Sequence, residues 1–147
     1  MKPKFNMKAQ EALEKAQQII FDHNHSELKS LHLLLSLVEQ DSSIVEIIID
    51  FLGIKKEELV ADIHTKINAI PKLITNTSNF GQILLSPEII NIFERADSYA
   101  KELGEEFIST EHLFLGILDS KNDAKAILQE YDIKVDEIKK IINEIKK

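Results

Sequence analysis

The sequence predicts an all-α protein made of two pseudo-symmetric repeats of about four helices each. Three observations carry that prediction. The stretch from Phe107 to Leu118 has a weaker twin from Glu27 to Val38: His112 and His32 stand 80 positions apart, and the same offset carries Ala96 onto Ala16, Glu94 onto Glu14 and Arg95 onto Lys15. Beyond that stretch the offset becomes 79, pairing Ile54 with Ile133, Leu59 with Ile138 and Ile63 with Ile142. An apolar pattern held over so many positions is one structural unit used twice. Finally, the chain has only 4 glycines and 3 prolines in 147 residues, placed where helices would start or stop. The expected boundaries are repeat one at 1–70, a connecting loop at 71–85 and repeat two at 86–147, all within one domain, 1–147.

Asn6 is placed to cap a first helix running to about His23, with Ala9, Ala12, Leu13, Ala16, Ile19 and Ile20 on one stripe. Its partner starts at Ser86-Pro87-Glu88, an N-cap followed by proline at the first helical position and an acid in the first turn. That helix should stop at Leu103, because Gly104 can take the left-handed cap; Asn24 fills the same place in repeat one. Each second helix holds a His-Leu segment, with Ser109 as N-cap in repeat two. The run Ile44-Val45-Glu46-Ile47-Ile48-Ile49 is β-branched and resembles a strand. Its partner, Ala124 to Glu130, has helical composition, so both are expected as buried helices, the first from Ile44 to Leu52 with Gly53 closing it. Fourth helices follow at Glu57 to Ile70 and Val135 to Lys146, the lysines suiting the negative end of the last one. The loop carries Phe80 and Ile83, which either tack it onto the core or serve a binding role.

Composition excludes several functions. The net charge of −7 disfavours nucleic acid, whose phosphates need clustered Lys and Arg. The absence of cysteine removes disulfides, thiol nucleophiles and thiolate metal sites. The start, Met1-Lys2-Pro3-Lys4-Phe5, lacks the apolar core of a secretory signal, and no apolar run approaches membrane-spanning length. A cytoplasmic protein, or an organellar-matrix one, is the expectation. Glycines 53, 81, 104 and 116 include no pair with phosphate-loop spacing, so no nucleotide site is expected in this chain. The surface is acidic enough for self-repulsion to favour a monomer.

The chemistry-bearing residues point to binding rather than catalysis. His23 and His25 could bracket a metal, but no third ligand lies near them in sequence, so none is expected. Glu102, Glu105, Glu106 and Glu111 bracket one helix-to-helix corner. Acid–base catalysis there would need an apolar pocket that separates their pKa values, and the sequence shows only a solvated acidic corner. Such a corner can orient a backbone or a cationic partner. Glu111 and His112 point about 100° apart on a helix, which argues against a shared ligand. Arg95 and Tyr99, four apart, share a helix face, where Tyr99 offers a large contact or else covers the interface between the halves.

The segments Gly104-Glu105-Glu106-Phe107-Ile108-Ser109-Thr110-Glu111-His112-Leu113, Leu84-Leu85-Ser86-Pro87 and Ala9-Gln10-Glu11-Ala12-Leu13 resemble the N-terminal double repeat of the Clp family of AAA+ unfoldases. The resemblance spans essentially the whole chain. Ile70-Pro71-Lys72, Asn24-His25-Ser26 and Leu37-Val38-Glu39-Gln40-Asp41 are most similar to the ClpB disaggregase branch; the ClpC branch usually has glycine and threonine before its Glu-His, where this chain has Ser109-Thr110. The resemblance implies a helical, pseudo-twofold domain set flexibly above a hexameric ATPase ring, capturing unfolded or aggregated polypeptide for threading. ATP and magnesium would then belong to the ring and not to this chain. The alternative it implies is docking of an adaptor protein by the N-terminal domain of a ClpC- or ClpA-type protease unfoldase. The family's functional polar trio falls on Asn6, Glu105 and Glu111, of which only Glu111 is the family's own residue type. Its apolar groove falls on Arg95, Tyr99 and His112, where aliphatic residues often stand. The implied substrate-binding set is therefore Asn6, Arg95, Tyr99, Glu105, Glu111 and His112.

Overall fold

The computed structural model describes residues 4–73 and 84–147. Phe80, Ile83 and most of the expected connecting loop lie outside the described residues. Among these there are eight helices: α1 (Met7–Asp22), α2 (Ser30–Glu39), α3 (Ile44–Phe51), α4 (Lys56–Asn68), α5 (Pro87–Glu102), α6 (Thr110–Leu118), α7 (Asp123–Glu130) and α8 (Val135–Ile145). Moving α1 forward by 80 positions reproduces the bounds of α5, and moving α3 by 79 reproduces those of α7. The register slip therefore falls between α2 and α3. The β-branched Ile44 run is helical, its inner face (Val45, Ile48, Ile49) buried in the core, so packing overrides its strand preference.

The caps follow the expected chemistry. The Asn6 side chain accepts from the Ala9 N–H at 2.9 Å, and Ser43 does the same for Glu46 at 3.1 Å. Asn24 and Gly104 occupy the same repeat position with positive φ, 56° and 75°, as do Gly53 and Asp132 at 71° and 58°. α4 stops at Asn68, short of the expected Ile70. Ala69 and Ile70 form tighter three-residue bonds to Lys66 and Ile67, and Pro71 disfavours helical geometry at the residue before it. α3 and α8 likewise end one residue earlier than expected, at Phe51 and Ile145.

Two short strands were not expected: β1 (Glu27–Leu28) and β2 (Leu84–Leu85) pair in parallel, Leu28 opposite Leu85. A second parallel bridge joins Phe5 to Ile108. Shifted by 80 positions, one pairing becomes the other. Each half therefore lends the segment before its first helix to the other half, and the halves are laced together twice. At the centre lie α2 and α6, packed on each other and buried along nearly their whole length. Leu33 and Leu113 are equivalent core residues, each fully enclosed. At the matched contact Ser36 donates to the Ala12 carbonyl in one half, whereas Gly116 packs directly under the Ile92 carbonyl in the other.

Candidate functional site: a buried charged corner at the start of α6

The turn from α5 to α6 is built by Gly104, whose positive φ lets the chain reverse, and by the bridge that ties Ile108 to the N-terminal segment. The Asn6 N–H donates to the Ile108 carbonyl at 2.9 Å, and the Ile108 N–H donates to the Lys4 carbonyl at 2.7 Å. This places Asn6, Glu105, Glu111 and His112 at one corner. Of the four carboxylates expected at a solvated corner, Glu102 and Glu106 are exposed, and Glu111 departs from the expectation. Glu111 is 1% exposed and His112 is fully enclosed, while Glu105 is half-buried.

A cation absent from the sequence-derived site closes this corner. Lys146, at the C-cap of α8, places its ammonium 2.6 Å from Glu111 Oε2 and 2.5 Å from Glu105 Oε1. Burial pushes the Glu111 carboxyl up, but hydrogen bonds from Lys146 and the Ser109 hydroxyl outweigh it and hold Glu111 below its ordinary value. Burial pulls Lys146 down, and its two carboxylate partners raise it above the usual lysine value. Both groups stay charged through neutral pH.

His112 has a defined structural task. It is the third residue of α6, and its Nδ1 accepts the Ser109 N–H at 2.8 Å, replacing the glutamate of a capping box. His32 does the same at the start of α2, accepting the Lys29 N–H at 3.0 Å. With Nδ1 engaged as acceptor, the neutral ring carries its proton on Nε2. That atom lies 3.1 Å from Glu105 Oε2 without the alignment of a hydrogen bond, and is otherwise unpartnered. Burial lowers the His112 pKa, Lys146 adds to the effect, and Glu111 and Glu105 oppose it. Ligand atoms of Glu105, Glu111 and His112 all lie within 4.8 Å of one another, a spacing that suits a divalent ion. The chemistry does not: Nε2 bears a proton and Lys146 already fills the carboxylates. Glu111 and His112 do converge on Glu105, which the angular argument from the helix had not foreseen.

Arg95 and Tyr99 lie elsewhere. The Tyr99 hydroxyl donates to Asp119 at 2.8 Å, at the opposite end of α6 from Glu111, and burial together with that bond pushes the phenol pKa up. Lys139 sits 5.6 Å over its ring and pairs with Glu102 at 2.7 Å. Arg95, exposed, lines a shallow polar cavity with Ser98, Asp119, Ser120 and Lys121. The groove expected between Tyr99, Arg95 and His112 is therefore not continuous, since the His112 ring is wholly inside. The apolar surface nearest the corner is supplied instead by Met7, 75% exposed, and Phe107, 46% exposed, next to Asn6 and Ile108. At His23 and His25 the contacts are local: His25 Nδ1 faces His32 Nε2 at 2.8 Å, and the His23 ring stacks on His25. No helix among the described residues is long and apolar enough to cross a membrane.

Among the described residues the structure is a doubled four-helix unit whose buried polar groups include helix caps, a histidine pair and one ion cluster. The comparisons give it a family. The model of the Clp repeat (R) N-terminal domain matches residues 4–131, and the chain belongs to that family. The Chaperone protein ClpB of Bacteroides thetaiotaomicron is 27% identical over 143 residues, covering 97% of this chain and 16% of that protein. The chain thus spans about a sixth of the length of such curated relatives. In fold it is similar to the Hsp104 N-terminal domain from Candida albicans, with a TM-score of 0.81 at 17% identity, covering 97% of this chain and 91% of that one. It is also similar to a ClpV N-domain solved in complex with a VipB peptide, with a TM-score of 0.63 at 20% identity over 78% of this chain and 68% of that one.

Proposed function

We propose that this domain captures unfolded or aggregated polypeptide for the ATP-driven ring of a ClpB- or Hsp104-like chaperone, and has no catalytic activity of its own. The observation that carries the reading is the corner itself. Two carboxylates, Glu105 and Glu111, converge on Lys146 at the turn whose Ile108 is bonded to Asn6, and Met7 and Phe107, next in sequence to Asn6 and Ile108, offer exposed apolar surface. An extended client can place an apolar side chain on that surface and a cationic group or backbone N–H against Glu105, the accessible carboxylate. Arg95 and Tyr99 form a second, separate contact further along α5, and His112 acts through its cap instead of touching the client. ATP and magnesium would act in the ring, a hexamer of the longer chain. A second reading, docking of a defined adaptor peptide, is favoured by the ClpV N-domain complex with a VipB peptide.

Affinity should be weak, because a client is ordered on binding and the shallow surface buries little area: a dissociation constant of about 1 μM or weaker. Amide chemical-shift mapping with an unfolded client tests the site. Shifts should gather at Asn6, Glu105 and Phe107, with a second set at Tyr99. Perturbations confined to α3, α4 and α7 would overturn the assignment. A client that binds without selectivity supports capture, and one short sequence that outcompetes all others supports adaptor docking.

A further inference from the structure

We propose that Lys146 is an internal ligand of the client site, so that a client binds the Glu105–Glu111 corner by displacing it. The inference rests on the polypeptide-binding reading above and adds what that reading lacks, an account of how a closed corner opens. The ammonium of Lys146 already occupies one oxygen of each carboxylate, and Glu105 alone keeps accessible surface, with 34% of its side chain exposed. The Lys146 ammonium bridges them at 2.5 and 2.6 Å, and Glu111 has almost no exposed surface through which a second partner could arrive. A client group can reach Glu105 from solvent, but one that reaches the Glu111 carboxylate must take the place the ammonium holds.

Three features make that exchange feasible. Lys146 is anchored only at the end of its helix: it is the cap of α8, held by a single backbone bond from its N–H to the Ile142 carbonyl at 3.0 Å. Helix ends fray first, so the lysine can leave without unfolding the core that Ile138, Ile141 and Ile142 secure. Its side chain is a quarter exposed, so water can receive the released ammonium. The device is also confined to one half. The positions matching Glu111 and Lys146 are Leu31 and Ile67, both buried and apolar, so the core at this place does not require an ion pair. A buried ion pair is a poor source of stability beside an apolar pair of similar size, so packing alone gives no reason for it here.

The site then has two states, latched by Lys146 or occupied by client, and the end of α8 reports which. Differential affinity for the two states sets the coupling. The test uses a fluorescein-labelled unfolded peptide carrying lysine and leucine, titrated by anisotropy into the unmodified domain, Lys146→Met and Lys146→Arg. Lys146→Met should bind about fivefold tighter or more, and Lys146→Arg, which keeps a cation on the carboxylates, should bind like the parent. Hydrogen exchange on the unmodified domain gives a readout that needs no variant: saturating peptide should speed exchange of the Ile145 and Lys146 amides. If shifts map to the corner while Lys146→Met binds no tighter and α8 exchange is unchanged, the latch is refuted and the binding reading stands. If shifts map elsewhere, both fall.

Discussion

Acid should destabilise this domain through one pair of rings well before the carboxylates are exhausted. His32 is enclosed, its Nδ1 accepting the Lys29 N–H and its Nε2 facing His25 Nδ1 at 2.8 Å. Burial is the main cause that lowers its pKa from 6.5 to about 4, with His25, His23 and Lys29 adding positive charge nearby. The unfolded chain therefore takes up a proton below pH 6.5 that the folded ring refuses until about pH 4. Stability from this ring is full above pH 6.5 and falls steadily as pH drops toward 4. A gap of that size corresponds to about 3 kcal/mol. His25, itself lowered by burial and by His23 and Lys72, shares the hydrogen bond, so the loss belongs to the pair. The diagnostic variant is His32→Gln, since glutamine at the third helical position can still accept the cap N–H but cannot titrate. Urea unfolding followed by circular dichroism, near neutral pH and near pH 4, should show the parent losing about 3 kcal/mol more than the variant. The acids common to both proteins cancel in that difference. Parallel losses in the two proteins would refute the reasoning.

Two further outcomes follow from the packing. Gly116→Ala places a Cβ 2.6 Å from the Ile92 carbonyl oxygen, a backbone atom that cannot swing aside, and should lower stability by about 1–3 kcal/mol; an unchanged urea midpoint would show that α5 and α6 are not so closely apposed. Leu33→Ala and Leu113→Ala, at fully enclosed equivalent positions, should each cost roughly 2–5 kcal/mol by the same assay, and a large disparity between them would count against equivalent packing in the two halves.

Most of the fold was legible because it was written twice. The Ile44 run alone favours a strand, and only comparison with Ala124 to Glu130 turned it into a helix. Asn24 and Gly104 could be matched because positive φ restricts the choice of residue. The parallel bridges were missed for the opposite reason: two-residue pairings such as Glu27–Leu28 with Leu84–Leu85 carry no periodicity to read. The site was legible in part. Glu105 and Glu111 do converge, but nothing local to Glu111 announces Lys146, which arrives from 35 positions further along the chain. The one available signal was a lysine where the first repeat has Ile67. His112 was placed at a groove by the family resemblance, whereas its polarity is consumed by the cap.

The differences between the halves, more than their likeness, locate function. Both keep a histidine at the third position of the buried helix, and both set a polar residue from the preceding turn against its Nε2: His25 in one half, Glu105 in the other. The first half completes this contact with neutral rings and surrounds it with Leu31 and Ile67. The second completes it with a carboxylate and adds Glu111 and Lys146, three charges where the first half has none at the matched positions. A fold that stands on the apolar version in one half does not need the charged version for packing in the other. Desolvating three charges is costly even when they are paired, and a cost carried in one repeat alone is what a binding site imposes on a scaffold that would otherwise be symmetric. The charges of the proposed client corner therefore come from the second half, while the first half contributes Asn6 and the exposed Met7 beside them.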